Sequence, residues 1–225
     1  MSTPYQIDTI LLERYRAVYV EIPKVACTSI KTALAPFAGV SLDTLGNPHE
    51  MNWPVAVPSR SGCLFPDRFS FAFVRNPWDR LLSCYRDKIG GEVDGYTSFS
   101  IRPGVADCLA RFDSFFAGMS FEAFVAAVAS IPDVDADAHF RSQHAFVTNE
   151  AGEIALNFIG HYEHLADDFQ TVAQRIGLPS VNLPRLQTAR TTVRYGEFYT
   201  PETQQIVAER FRKDVELFGY TFEAE

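Results

Sequence analysis

The chain has 225 residues, of which 47% are hydrophobic and 13% aromatic, so it is long and apolar enough to bury a globular core. Its formal net charge of −8 argues against a general nucleic-acid or polyanion binder, since such proteins carry a basic face. With no run of 18 apolar residues and no leader-like amino terminus, we expect a cytoplasmic protein without a transmembrane segment.

The first motif follows a predicted strand from Ala17 to Ile22. The chain continues as Pro23-Lys24-Val25-Ala26-Cys27-Thr28-Ser29, which predicts a tight loop and then a helix over about 28–37. The first N–H groups of a helix and its dipole attract anions, to which Lys24 adds a charge and Thr28 and Ser29 add hydroxyls. A nucleotide-binding P-loop is disfavoured, because the G-x-x-x-x-G-K-[ST] spacing is absent. The alternative is a solvated Lys24 and an ordinary Thr28 cap.

A segment rich in proline and glycine, residues 39–66, is predicted to be irregular and contains His49. A second aromatic strand, Phe69 to Val74, then continues into a helix near Pro77. Arg75 stands at the strand exit and Ser83 about two turns into the helix, so guanidinium and hydroxyl are predicted to close on one phosphate group.

The remaining elements repeat the alternation of strand and helix. Residues 90–103 read as a loop, Ser120 caps a predicted helix, and residues 154–163 read as a third buried strand. A helix ending at Gly177 follows, and Thr200 and Pro201 open a last helix that runs past residue 211. We therefore predict an α/β fold with a P-loop-like parallel sheet, helices on both faces, and a single domain over residues 1–225.

Metal and redox sites are not predicted. The four cysteines at positions 27, 63, 84 and 108 contain no C-x-x-C pair. The acidic run 133–137 lacks the glycine and glutamate of an EF-hand loop and is interpreted as a solvated loop. A Cys27 thiolate at a helix start is a conceivable nucleophile and stays open as an alternative.

Residues 22–29 resemble the 5′-phosphosulfate loop of the sulfotransferase superfamily, and residues 74–83 resemble its 3′-phosphate motif. Residues 158–169 and 211–222 look like later segments of its carbohydrate sulfotransferase branch. The resemblance implies 3′-phosphoadenosine-5′-phosphosulfate as co-substrate, no required metal, and an acceptor hydroxyl, less readily an amine, on a carbohydrate or small molecule. Glu21 stands where many members carry histidine, so no functional role is carried over to it.

The resemblance also implies roles for individual residues. Lys24 neutralises the bridging oxygen that leaves, and His49 is the favoured base, with His139 and His144 as alternatives. Residues that resemble the donor-binding set are Pro23, Lys24, Ala26, Cys27, Thr28, Ser29, Arg75, Ser83 and Arg194. Arg194, with Arg190, is equally interpretable as a surface arginine near a helix start.

Two other functions stay open at this stage. A P-loop-type kinase using Mg-ATP would also need a lysine-bearing phosphate loop, although a 3′-phosphate site at Arg75 and Ser83 has no purpose there. A non-catalytic module that binds the desulfated nucleotide would need no base at His49.

Overall fold

The computed structural model describes residues 7–41, 47–59, 62–89, 104–179, 181, 183, 184 and 194–223. Its sheet has four strands in the order β1-β2-β3-β4, which are Thr9–Leu12, Ala17–Val20, Phe69–Val74 and Phe158–His161. The pairs β2–β3 and β3–β4 are parallel, whereas β1 is antiparallel to β2. The predicted α/β class with a largely parallel sheet is confirmed, and the structure adds β1 as an antiparallel strand.

Helices follow the strands in the way that the sequence predicts. In the described parts of the chain the α-helices are α1 Cys27–Leu34, α2 Pro77–Lys88, α3 Asp107–Ala110, α4 Phe121–Ser130, α5 His144–Val147, α6 Leu165–Ile176, α7 Pro201–Arg210 and α8 Arg212–Phe218. A short 3₁₀ turn, Ala35–Phe37, completes the first predicted helix. None of the described helices has the length and apolarity needed to cross a bilayer.

Two boundaries differ from the prediction. The third strand is Phe158–His161 and not residues 154–163, since Ile154 lies outside it and is 41% exposed. The last predicted helix is two helices, because the chain leaves helical geometry at Phe211, which has φ −111° and ψ 25°. The predicted loop 90–103 lies outside the described residues.

The chain divides into two compact units, residues 1–75 with 143–190 and residues 76–142 with 191–225. The first unit contains the sheet, α1, α5 and α6, and its core is aromatic: the rings of Tyr19 and Phe71 lie 5.5 Å apart, and those of Phe73 and Phe169 lie 6.3 Å apart. The assignment of residues 1–225 to a single domain stays a prediction.

Close packing in the first unit explains one glycine of β4. A Cβ atom at Gly160 would lie 2.5 Å from the Phe73 ring and 3.1 Å from Cβ of Asp168. Phe73 pairs with Gly160 in the register of β3 and β4, so its ring fills the space above its neighbour. The glycine thus lets α6 approach the sheet closely.

The outer side of β1 is also paired. The N–H of Leu11 donates to the Pro54 carbonyl (2.7 Å), and the Thr9 hydroxyl both donates to the Ala56 carbonyl and accepts from the Ala56 N–H (2.9 Å each). These partners belong to the segment that also carries His49. That segment has neither helix nor strand in its described residues 39–41, 47–59 and 62–66, as predicted.

The second unit has its own core around α2 and α4. Buried aromatic side chains of this unit are Trp78, Phe115, Phe121, Phe124, Phe140 and Phe211. Arg80 is buried and donates to the carbonyls of Arg141 (2.8 Å) and Ala138 (3.0 Å), which fixes the loop before α5 to α2. Two helices of the second unit begin at the predicted caps. Ser120 accepts from the Ala123 N–H, and Thr200 accepts from the Thr203 N–H.

Candidate functional site

The loop between β2 and α1 has an unusual backbone. Lys24 and Ala26 both adopt left-handed geometry, with φ of 70° and 51°, although neither is glycine. A left-handed conformation costs a residue with a side chain about 1–2 kcal/mol. Left-handed residues in such a loop turn N–H groups toward a concavity that binds anions, and here Ala26 leads directly into the first turn of α1. The loop is therefore shaped for an anion.

Arg75, at the exit of β3, lies against this loop. Its Nη1 atom donates to the Lys24 carbonyl (3.0 Å), and its guanidinium lies 4.2 Å from the centre of the Tyr162 ring. The structure thus brings the Arg75 side chain against the backbone of Lys24, two residues that the sequence places in separate motifs. A half-buried guanidinium held on an aromatic face keeps its planar fork oriented for an oxyanion.

Gln143 holds the backbone of Arg75. This glutamine is fully buried, its Oε1 atom accepts from the Arg75 N–H (2.9 Å), and its Nε2 atom donates to the Arg75 carbonyl (2.8 Å). One side-chain amide therefore occupies both backbone groups at the point where β3 ends. Neither Gln143 nor Tyr162 was predicted as a site residue, and no local pattern in the sequence around Gln143 distinguishes it, since Arg141, Ser142 and His144 beside it are also polar.

His49 reaches the start of α1 from the irregular segment. Its Nε2 atom lies 3.0 Å from the Thr28 hydroxyl and its Nδ1 atom 3.3 Å from Nζ of Lys31. Nδ1 also lies 3.7 Å from Oε1 of Glu21. The favoured base of the sequence analysis therefore stands beside the predicted anion loop, with one ring nitrogen toward Thr28.

Glu21 and Lys31 form a buried ion pair behind His49. Lys31 Nζ lies 2.6 Å from Glu21 Oε2, and the two side chains are 8% and 9% exposed. Neither residue was predicted to have a functional role. Two weak features of the sequence point to this pair. Glu21 is a carboxylate directly after the apolar strand β2, and Lys31 is a lysine on the buried side of α1.

The other residues of the loop differ in exposure. Pro23, Lys24, Ala26 and Thr28 are half-buried, whereas Cys27 and Ser29 are buried on the inner side of α1. Burial raises the pKa of the Cys27 thiol to about 12, helped by the negative charge of Glu21, and the thiol contacts the Ile22 carbonyl (3.0 Å). The alternative of a Cys27 thiolate nucleophile is therefore wrong.

Ser83 and Arg194 belong to the second unit. Ser83 lies in α2 and is half-buried, and Arg194 is exposed immediately before a 3₁₀ helix, Tyr195–Phe198. Asn76 caps α2 by accepting from the Trp78 N–H (3.1 Å). The predicted 3′-phosphate contacts of Ser83 and Arg194 stay predictions, and Arg190 lies outside the described residues.

The alternative bases occupy other surroundings. His139 in the second unit lies with Nδ1 2.6 Å from Oδ1 of Asp137, and His144 begins the short helix α5 of the first unit. His49 was the favoured base in the sequence, with His139 and His144 as alternatives. His49 contacts the Thr28 hydroxyl beside the predicted anion loop, and its role as the base stays a prediction.

The acidic run 133–137 is not simply solvated. Burial by itself would raise the pKa of Asp133, but hydrogen bonds from Ser142 and the charge of Arg210 outweigh it and lower the pKa below its ordinary value. Asp133 Oδ1 accepts from the Ser142 N–H and from Arg210 Nη2, each at 2.9 Å. The interpretation as a solvated loop is wrong for Asp133, which links Ser142 to Arg210 of α7 within the second unit.

One group of side chains has metal-ligand chemistry. Ligand atoms of Cys108, Asp137 and His139 lie within 4.8 Å of one another, a donor set that zinc accepts. The imidazole of His139 is already bound to Asp137, and Arg111 lies 4.0 Å from the same carboxylate. A neighbouring guanidinium opposes a cation, so these contacts favour an ion-paired cluster over a metal centre.

Comparison with known proteins gives a family and a set of curated relatives. The sequence model of the sulfotransferase family matches residues 8–221. Carbohydrate sulfotransferase 14 of Danio rerio is 28% identical over 97% of this chain and 65% of its own length. Carbohydrate sulfotransferase 8 of Homo sapiens is 26% identical over 97% of this chain and 57% of its own length. Carbohydrate sulfotransferase 10 of Gallus gallus is 26% identical over 96% of this chain.

The chain thus spans about three fifths of the length of the first two of these relatives. No solved structure matches the chain significantly.

Proposed function

Because the chain belongs to the sulfotransferase family, we propose that it transfers a sulfuryl group from 3′-phosphoadenosine-5′-phosphosulfate to a hydroxyl of a carbohydrate-like acceptor. The observation that carries the proposal is the left-handed loop at Lys24 and Ala26, which leads into α1. His49 contacts the Thr28 hydroxyl in the first turn of that helix. The donor supplies an activated sulfuryl group linked through oxygen to a 5′-phosphate. A small hydroxylated acceptor, or an amine, is the less favoured form.

The residues of the loop fit the charge of such a donor. The backbone N–H groups of residues 24–28 and the Thr28 hydroxyl would hold the 5′-phosphate, because the loop geometry and the helix dipole favour an anion there. Arg75 would bind the 3′-phosphate that distinguishes this donor from ADP and ATP. The roles of Ser83 and Arg194 toward that phosphate stay predictions. The arrangement calls on no metal.

Sulfuryl transfer then follows an in-line displacement. An oxygen lone pair of the acceptor forms a bond to sulfur, while the bond from sulfur to the bridging oxygen breaks and leaves its electron pair on the 5′-phosphate. Lys24 would neutralise that oxygen as charge develops, and His49 Nε2 would take the acceptor proton and later release it to water. The products are a sulfate ester and 3′-phosphoadenosine-5′-phosphate.

The charge of the protein bears on the acceptor. With a net charge of −8, the chain repels polyanions at long range, so a neutral or weakly charged sugar suits it better than a heavily sulfated polymer. The relatives are named as carbohydrate sulfotransferases, which supports a sugar hydroxyl. Location in the cytoplasm stays a prediction.

Thermal stability tests the donor site first. Saturation with 3′-phosphoadenosine-5′-phosphate at about 100 times its Kd adds roughly 2.7 kcal/mol, which raises the Tm by several degrees. We expect this shift with the 3′-phosphorylated nucleotide and a much smaller one with ADP. A shift confined to ATP with magnesium would contradict the proposal and favour the kinase.

Transfer itself is measured with the ³⁵S-labelled donor and a panel of neutral and sulfated oligosaccharides. Label should appear in a neutral sugar and disappear in the Lys24→Ala variant. Binding of the desulfated nucleotide without transfer to any member of the panel would instead support the non-catalytic module.

A further inference from the structure

His49 belongs to the irregular segment, and its side chain is 42% exposed. Its ring nevertheless contacts two side chains of α1: Nε2 lies 3.0 Å from the Thr28 hydroxyl, and Nδ1 lies 3.3 Å from Lys31 Nζ. An exposed side chain loses conformational entropy when it is held in one position. The backbone from which this ring extends therefore needs contacts of its own.

Trp53 closes the loop that carries His49. Its Nε1 atom donates to the Pro48 carbonyl at 2.8 Å, and Pro48 directly precedes His49 in the chain. The hydrogen bond joins residues five positions apart, so residues 48–53 form a closed loop with the histidine inside it. Trp53 is half-buried, and its polar N–H has a partner within the same segment.

The two ends of this loop are held in different ways. The Pro54 carbonyl accepts from the Leu11 N–H (2.7 Å), which anchors the chain directly after Trp53 on β1. At the other end, the Asn47 side chain accepts from the His49 N–H (3.0 Å), which shapes a turn but joins residues two positions apart. The indole of Trp53 therefore connects the turn of His49 to the part of the segment that is anchored on the sheet.

We infer that Trp53 is a positioning residue, whose indole N–H holds the Pro48 carbonyl and thereby keeps the His49 ring against Thr28. The inference rests on the proposed function, in which His49 stands beside the anion loop and contacts the acceptor. Trp53 acts through the backbone and not on the substrate. Misplacement of a reacting group by about 1 Å can cost about 10²-fold in rate, so a hydrogen bond to the neighbouring residue bears on turnover.

Proton NMR of the unchanged chain tests this placement without donor or acceptor. The contact at Nε2 brings the ring protons of His49 close to the Thr28 methyl group, so we expect a nuclear Overhauser effect (NOE) between them. We also expect the Trp53 indole N–H to exchange with solvent at least about tenfold more slowly than a free indole. Absence of the NOE, or exchange at the rate of a free indole, overturns the inference even where a variant fails to fold.

Two matched variants test the hydrogen bond itself. The chain has two tryptophans, and each is replaced by phenylalanine, which keeps an aromatic ring and removes the N–H donor. In Trp53→Phe the NOE between His49 and Thr28 should be lost. Trp78→Phe removes the bond from the buried Trp78 to the Gln204 carbonyl (3.0 Å) and should leave this NOE in place. An unchanged NOE in Trp53→Phe, or its loss in both variants, overturns the inference.

A double-variant cycle provides the kinetic test. Trp53→Phe should lower kcat about 10-fold, with the Kd of 3′-phosphoadenosine-5′-phosphate changed less than about threefold, because the loop between β2 and α1 is untouched. The same change should have no further effect in a His49→Ala background. An equal loss of kcat in both backgrounds would show a merely structural role and overturn the inference. Failure of the proposed function looks different: no Tm shift with 3′-phosphoadenosine-5′-phosphate, whatever the NOE shows.

Discussion

Gln143 and Arg75 are joined by a pair of hydrogen bonds in which one side-chain amide meets both backbone groups of the arginine, at 2.9 and 2.8 Å. The contact continues the pattern of a parallel sheet for one residue beyond β3, with a side chain in place of a strand. It fixes the backbone of Arg75, and the Tyr162 ring and the Lys24 carbonyl fix the position of its guanidinium group. Arg75 is thus held from both sides before any ligand arrives.

Gln143→Ala should weaken binding of 3′-phosphoadenosine-5′-phosphate about tenfold or more. The change leaves two buried backbone groups of Arg75 without this partner, so it should also lower the free energy of unfolding by about 1–3 kcal/mol. Titration calorimetry and urea unfolding measure the two effects. Gln170→Ala removes a comparable bond to the Val181 carbonyl (2.7 Å) and should change stability alone. Equal nucleotide affinity in both variants would contradict the role given to Gln143.

Lys24→Ala should separate turnover from binding. The ammonium group is expected to stabilise charge that develops on the leaving oxygen, so kcat should fall about 10²-fold or more, while the Kd of 3′-phosphoadenosine-5′-phosphate changes less than threefold. Lys213→Ala, at an exposed position of α8, serves as the matched control and should leave both values unchanged. If nucleotide affinity collapses and kcat at saturation does not, Lys24 binds the ground state only.

Ala26 is the position where backbone strain can be relieved or increased. Ala26→Gly removes a left-handed side chain and should hold or raise the free energy of unfolding, by up to about 1 kcal/mol. Ala26→Val should lower it by about 1–2 kcal/mol, because a β-branched residue tolerates φ of 51° poorly. Urea unfolding measures both.

The same glycine substitution at an ordinary helical position provides the reference for Ala26. Ala126→Gly, in the exposed middle of α4, should cost about 1 kcal/mol. Losses of the same size at positions 26 and 126 would mean that the loop carries no strain.

Asp133→Asn should destabilise the protein at neutral pH and matter less in acid. Hydrogen bonds from Ser142 and the charge of Arg210 overcome the effect of burial and lower the pKa of Asp133. A carboxyl group with a lowered folded pKa stabilises the fold above the ordinary value of about 3.9, and this contribution is lost as the pH falls through the folded pKa. We expect a loss of about 1–3 kcal/mol at pH 7 that shrinks below about pH 4.

Urea unfolding of the unchanged chain and Asp133→Asn at both pH values measures that difference. Glu13→Gln, in an exposed ion pair, should change stability by less than about 0.5 kcal/mol at either pH. A difference for Asp133→Asn that is constant from pH 7 to pH 3 would mean that the charge of the carboxylate is not what stabilises the second unit.

Cys27 should resist alkylation in the folded protein. With its pKa raised to about 12 by burial and by Glu21, roughly one molecule in 10⁴ carries the thiolate at pH 8. Peptide mapping after treatment with iodoacetamide should find Cys27 unmodified in buffer and modified in urea. Rapid labelling of Cys27 in the native chain would show that the loop opens far more readily than its packing indicates.

The sequence predicts the elements that carry strong local signals. Apolar and aromatic runs predicted β2 and β3, Pro77 and Ser120 predicted the starts of α2 and α4, and Gly177 ends α6 in left-handed geometry as expected. The strand β1, Thr9–Leu12, was missed because its sequence Thr-Ile-Leu-Leu shows no alternation of polar and apolar residues. The break at Phe211 was missed because Val207, Phe211 and Phe218 are buried at helical spacing on both sides of it.

The sequence predicted the charged residues of the site but not the residues that hold them in place. Lys24, Thr28 and Arg75 occur at motif spacing, so their neighbourhood follows from two strand ends meeting at one edge of a parallel sheet. Gln143 lies 68 residues after Arg75, and no local pattern connects them. Glu21 and Lys31 meet because β2 and α1 pack together, which is a tertiary relationship that a linear motif does not express.

The segment that covers β1 is the same segment that delivers His49. Its Pro54 carbonyl accepts from the backbone N–H of Leu11, which would otherwise be open to a strand from a neighbouring molecule, and its Ala56 binds the side-chain hydroxyl of Thr9. His49 sits five residues before Pro54 on the same stretch of chain. A molecule that pairs with β1 would have to displace this segment and with it His49. Displacement of the segment should therefore cause both aggregation and loss of turnover.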